Sequence, residues 1–171
     1  MTEQTTILKQ KEFFHYSPIL LKEGSIIEPG NFGRICRLGS SLYRREEFVE
    51  TIRKEHFNTK PSRLESIFLL LSIDDVYKYR RHQNMVNNKI DWNILYKVQP
   101  VEEIKSYHVG CTGIFDKMLA RLSATERDIS IAHDYWSGVT ASLQYSNGYK
   151  ENFAIEVLLT VPVKILSKVE L

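Results

Sequence analysis

The stretch NFAIEVLLTVPVKIL, residues 152–166, constrains the chain more than any other. Valine, leucine and isoleucine dominate it, and such side chains favour the pleated, half-buried surface of a strand. Pro162 interrupts the run, so a β-rich segment with a break near that residue is predicted over 152–169. One carboxylate stands inside it. Glu156 lies among Phe153, Ile155, Val157 and Leu158, where an ionised acid is costly unless paired or hydrogen-bonded. Ala154, Glu156 and Leu158 share one face by alternation. Either that face borders a cleft, or it is solvated and Glu156 is a surface acid on an edge strand.

The 171 residues amount to about one domain, and 43% hydrophobic content suffices for a core. A net charge of +2 permits contact with a phosphate backbone without arguing for it. Cys36 and Cys111 have no CxxC spacing, which predicts neither a disulfide framework nor a zinc knuckle and favours a reducing cytoplasm. No secretory leader is visible at the start. The longest unbroken apolar run, IFLLL, is far below a membrane span, so no membrane association is expected.

Along the chain, EFFHYSPILL reads as a strand ending near Pro18, and KEGSIIEPGNFGR as turn, short strand and turn. Residues 41–56 place Leu42, Phe48, Val49 and Ile52 to one side of a helix. A buried strand is centred on Phe68–Leu71, followed by a helix that Ser72 and Asp75 open. NILYKVQP is a further strand. GIFDKMLARL is helical, Ser123 with Glu126 fits a capping box, and Asn147–Gly148 marks a hairpin turn. Together these predict one mixed α and β domain over residues 1–171.

Several residues have two readings. His15, in FFHYSP, is either a histidine at a strand end bonded to backbone or a ligand and proton-transfer group. Arg63 is an ordinary exposed arginine or a fork for phosphate or carboxylate. YKYRRH, 77–82, is the solvated face of a helix or a nucleic-acid patch. YWSG, 135–138, pairs a stacking aromatic with a tight turn or contributes to the core. Glu151 reads as a solvated turn acid. GxGxxG, Walker, HExxH and GxSxG patterns are absent, and the five histidines form no i, i+4 metal pair.

In order, these pieces resemble the ADP-ribosyltransferase superfamily, in the branch that carries His, a Tyr-like aromatic and Glu on three strands. HYSPILLKEGSIIEPG is similar to the first strand and loop of the small rifampin-modifying transferases, SIFLLLSIDDVYKY to the second motif, and NILYKVQP to the next strand. FAIEVLLTVPVKIL resembles the closing motif of bacterial DNA-modifying toxins of this superfamily. The resemblance covers about residues 12–169. It implies an α+β fold with a split β-sheet core and flanking helices, and NAD as substrate. By the resemblance, His15 holds the nicotinamide-side ribose with Tyr16 beside it, and Phe68 stacks on nicotinamide where relatives carry tyrosine. Tyr77 lines the same pocket, Arg63 meets the pyrophosphate, and Glu156 bonds the ribose 2′-hydroxyl and stabilises the cationic sugar. Catalysis then rests on Glu156 and His15. The expected protein is a cytoplasmic NAD-dependent transferase of the toxin or defence-effector kind. It would modify a nucleic acid or a protein, with an antitoxin or immunity protein as a partner. Ala154, two residues before Glu156, slightly disfavours an arginine target. The rival readings are a silent nucleotide- or partner-binding module and an RNA 2′-phosphotransferase relative.

Overall fold

Strand β1, Phe13–Ser17, ends at Pro18, which has no N–H to continue a ladder. The computed structural model describes residues 12–38, 43–85, 93–114, 125–144 and 148–171. After β1 come β2 (Ile26–Ile27), helix α1 (Asn31–Arg37), helix α2 (Tyr43–His56), a 3₁₀ turn (Arg63–Glu65) and β3 (Ile67–Leu70). Helix α3 (Ile73–Met85), β4 (Ile94–Pro100), β5 (Tyr107–Cys111) and helix α4 (Glu126–Ser137) follow. The short strands β6 (Ser142–Gln144) and β7 (Lys150–Asn152) lead to β8 (Ile155–Leu159) and β9 (Val163–Val169), separated at Pro162.

Local chemistry accounts for most of these boundaries. The Ser72 hydroxyl accepts the Asp75 amide at 3.1 Å at the start of α3. Helix α4 opens on a reciprocal capping box, in which Asp128 N donates to Thr125 Oγ1 at 3.3 Å and Thr125 N to the Asp128 carboxylate at 2.8 Å. The box expected at Ser123 and Glu126 is therefore placed two residues later, on Thr125 and Asp128; Ser123 lies outside the described residues. The helix expected over 113–122 lies largely outside them too, as does Asn147 of the hairpin turn, although β6 and β7 pair antiparallel on either side. The sequence reading contained neither α1 nor β5. Helix α1 is short and contains Gly33, where a Cβ would lie 2.1 Å from the Leu64 carbonyl oxygen, so only glycine lets α1 rest on the 3₁₀ turn.

Seven strands form one antiparallel sheet in the order β2-β9-β4-β1-β3-β8-β5, and with four helices the chain is of the α+β class. Alternation splits the core into layers. Val157 and Leu159 face one side with Phe13, Leu69, Tyr96 and Ile165, while Leu158 faces the other with Val49, Ile131, Tyr135 and Trp136 of α2 and α4. One joint in the sheet is sparse. Strands β1 and β4 align over five residue pairs, whereas β1 and β3 align only at Phe14 and Leu70. That joint sits beside a large cavity. Among the described residues no helix is long and apolar enough to cross a membrane, and both cysteines are buried free thiols.

Candidate functional site

A cavity of about 900 Å³ opens beside the β1–β3 joint. Its walls include His15 and Tyr16 of β1, Phe68 of β3, Glu156 of β8 and Arg63 of the 3₁₀ turn. Residues 53 and 93 positions apart in sequence thus meet at one hollow, because β1 and β8 both flank β3.

Glu156 aligns with Leu70 on one side and Gly110 on the other. A Cβ at Gly110 would lie 2.5 Å from the Tyr135 ring, so the missing side chain is what admits Tyr135 over the strand. The Tyr135 hydroxyl donates to Glu156 Oε1 at 2.6 Å and accepts from Arg63 Nη1 at 2.6 Å. Arg63 Nη1 also donates to Oε1, at 2.5 Å. Two donors hold one oxygen of Glu156. The other, Oε2, has no hydrogen-bond partner among the described residues and is not sealed from solvent, so it faces the cavity.

Arg63 is 6% exposed. Its guanidinium lies between the Phe68 ring at 4.7 Å and the Tyr135 ring at 4.9 Å, and its Nε donates to Glu46 Oε2 at 2.9 Å. Burial disfavours this cation, but the charges of Glu46, Tyr135 and Glu156 outweigh it and hold the group well above the usual arginine range. Glu46 is 1% exposed on α2, and Arg45 reaches its other oxygen at 3.1 Å. Burial opposes its ionisation too, yet Arg63 and Arg45 hold its carboxyl below the usual value.

His15 Nδ1 lies 2.9 Å from the Phe68 carbonyl oxygen. A carbonyl only accepts, so Nδ1 carries the proton and Nε2 keeps its lone pair. Burial lowers the imidazole pKa more than that bond raises it, so the ring is neutral at pH 7. The backbone-bonded reading and the cavity-lining reading of His15 therefore describe one and the same side chain. Tyr16 lines the cavity, tilted 35° against Tyr79 at 5.8 Å, and its buried hydroxyl has no partner among the described residues.

Two expected positions need correction. Tyr77 is 45% exposed and is not part of the cavity wall, which Tyr79 lines instead; two residues along a helix turn a side chain by about 200°. Arg63 is no exposed fork awaiting a phosphate, because its Nε and Nη1 are committed inside the protein. The arginines that do line the cavity near its opening are Arg34 of α1 and Arg45 of α2. One face of Phe68 carries Arg63, and Phe32 packs edge-on at 4.7 Å, which makes Phe32 a further aromatic of the wall.

Away from the cavity, Glu151 pairs with Arg81, and Lys78 with Asp74 at 2.6 Å, as expected of solvated charges. Trp136 is core, with its indole N–H on the Val49 carbonyl at 3.1 Å. The residues that sequence reasoning missed are Glu46 and Tyr135 as partners of the site. A signal existed for Glu46, which recurs at helical spacing with the buried Val49 and is thus an acid on an apolar stripe. Among the described residues no group of three or more His, Cys, Asp or Glu is placed to hold a metal ion.

Residues 31–170 match the model of a family described as "Protein of unknown function (DUF2441)"; β1 with His15 precedes the matched stretch. A comparison with curated proteins found no match.

Proposed function

The chain belongs to the DUF2441 family, and on that footing we propose that it is an NAD-dependent ADP-ribosyltransferase with a split-sheet core. One observation carries the reading. A neutral imidazole from β1 and an oriented carboxylate from β8 line the same cavity, on either side of a sheet joint held at one residue pair.

A volume of about 900 Å³ lies in the range of cofactor-sized sites. The wall offers His15 Nε2 as an acceptor for a ribose hydroxyl, the rings of Phe32 and Phe68 for a flat heterocycle, and Arg34 and Arg45 for phosphate charge. In the reaction the bond between ribose C1′ and the nicotinamide nitrogen breaks, and its electron pair leaves with nicotinamide. The acceptor then supplies the pair that bonds C1′ and gives up its proton. Positive charge grows on the sugar in between, as in other glycosyl cleavages. Glu156 Oε2, fixed in advance and weakly screened, accepts the 2′-hydroxyl and stabilises that charge. The acceptor is a nucleic acid or a protein, and the toxin or defence-effector role belongs to the same proposal.

A second reading is a silent binding module with the same fold. The 2.5 Å contact of Arg63 with Glu156 favours it, because the cation offsets part of the carboxylate's charge. Nicotinamide release from NAD by wild type and Glu156→Ala, with and without RNA, DNA or cell extract, separates the two. Release by wild type that the variant lacks supports the transferase. NAD binding without release by either supports the module, and neither binding nor release removes both.

A further inference from the structure

Arginine and a carboxylate usually meet through two parallel bonds. Here they do not. Arg63 places only Nη1 on Glu156, on Oε1, while its Nε is held by Glu46 on a different helix. The two rings that bracket the guanidinium leave it free to turn in its own plane but not to leave it. What fixes its in-plane orientation is therefore the Glu46 bond at 2.9 Å at one end and the shared Tyr135 and Glu156 contacts at the other.

We propose that Glu46 is a positioning residue for Glu156: by occupying Arg63 Nε it restricts the guanidinium to one arm on Oε1 and keeps Oε2 open to the cavity. Without the Glu46 charge, the only buried anion left within reach of Arg63 is Glu156 itself. The guanidinium then turns to take both oxygens, and the site closes on itself. A buried acid–arginine–acid chain is a poor device for stability, since apolar residues of similar volume serve as well or better. It is a good device for orienting a carboxylate. Glu46 touches no part of the cavity wall and acts only through Arg63.

The kinetic arm of the test rests on the transferase reading, and the structural arm does not. Crystal structures of Glu46→Gln and Glu46→Asp are expected to show Arg63 on both oxygens of Glu156 in the first and on Oε1 alone in the second. Nicotinamide release is expected to lose about tenfold or more in kcat in Glu46→Gln, with KM changed less than about threefold, and Glu46→Asp is expected to recover most of the loss. A Glu46→Gln structure with Oε2 still open overturns the proposal whether or not the wild type is active. A wild type that releases no nicotinamide sinks the transferase reading and leaves the structural arm to decide. Should Glu46→Gln not fold, Tyr135→Phe decides instead. With Glu46 still on Nε, Oε2 stays open in that variant, and an Arg63 found on both oxygens there refutes the role of Glu46.

Discussion

The Tyr135 hydroxyl lies 2.6 Å from Glu156 Oε1, so a helix residue sets the orientation of a strand carboxylate 21 positions further along the chain. Tyrosine supplies the one proton it has to the carboxylate and receives one from Arg63, which joins three elements of the fold at a single oxygen. Tyr135→Phe removes both bonds and leaves the packing. It is expected to cost about 1–3 kcal/mol of stability by urea unfolding. Release of nicotinamide is expected to fall about tenfold, as for the loss of one orienting donor. Full activity in this variant would show that Arg63 alone orients Glu156.

Gly110→Ala tests the same arrangement from below. The added methyl would sit 2.5 Å from the Tyr135 ring, and the ring has to move. The expected cost is about 1–3 kcal/mol, with activity lost alongside Tyr135→Phe rather than beyond it in the double variant. Additive losses in that pair would place the two residues in separate roles.

Arg63→Met removes the cation and leaves two buried carboxylates without it, one of which retains Arg45. A loss of about 3–5 kcal/mol is expected, as for other broken buried pairs. Glu156→Ala leaves Arg63 its bond to Glu46 and is expected to cost less. If the two variants unfold at the same urea concentration, the network is not organised around Arg63.

Acid stability has a defined direction. Burial, reinforced by the positive charges of Lys60 and Arg63, holds His108 down to about 3 from an ordinary 6.5. Below pH 6.5 the unfolded chain takes up a proton that the folded chain refuses, so stability is full above 6.5 and falls as pH drops toward about 3. The steepest slope is about 1.4 kcal/mol per pH unit for one such group. His15, also lowered by burial, adds to the same limb. The contribution of Glu46 is present above the ordinary carboxylate value and is lost as pH falls through its lower folded value. His108→Gln should flatten the slope of unfolding free energy over that limb, and an unchanged slope would mean that His108 takes up its proton in the fold.

If the protein is a toxin, induced wild type should arrest a bacterial host while Glu156→Ala is tolerated at equal expression, as read by growth and immunoblot. Equal growth of both strains removes that role and leaves the chemistry to the release assay.

What sequence alone could deliver follows the range of the forces involved. The β8 and β9 strands, the break at Pro162 and helix α3 are set by residues within a few positions, so pattern and capping chemistry disclosed them. Glu156 stood out because an acid in an apolar run demands an explanation. The exposure of Arg63 was misjudged because its partners lie 17 residues before and 93 residues after it, and nothing local records either. Tyr77 and Tyr79 were indistinguishable without the phase of α3 against the sheet, which the packing of Val76 and Tyr79 on Leu70 and Leu95 decides. Helix α1 escaped notice because seven residues with a central glycine carry too little periodicity.

The strand order has a consequence for timing. Strand β8 lies between β3 and β5, and β9 between β2 and β4, although both are synthesised after the other seven strands. A nascent chain that has not reached Ile155 lacks an inner strand on each side of the β1–β3 joint, and it lacks Glu156. The ribosome therefore releases a complete cavity only after β9 has emerged, and no amino-terminal fragment short of β8 carries the reactive carboxylate.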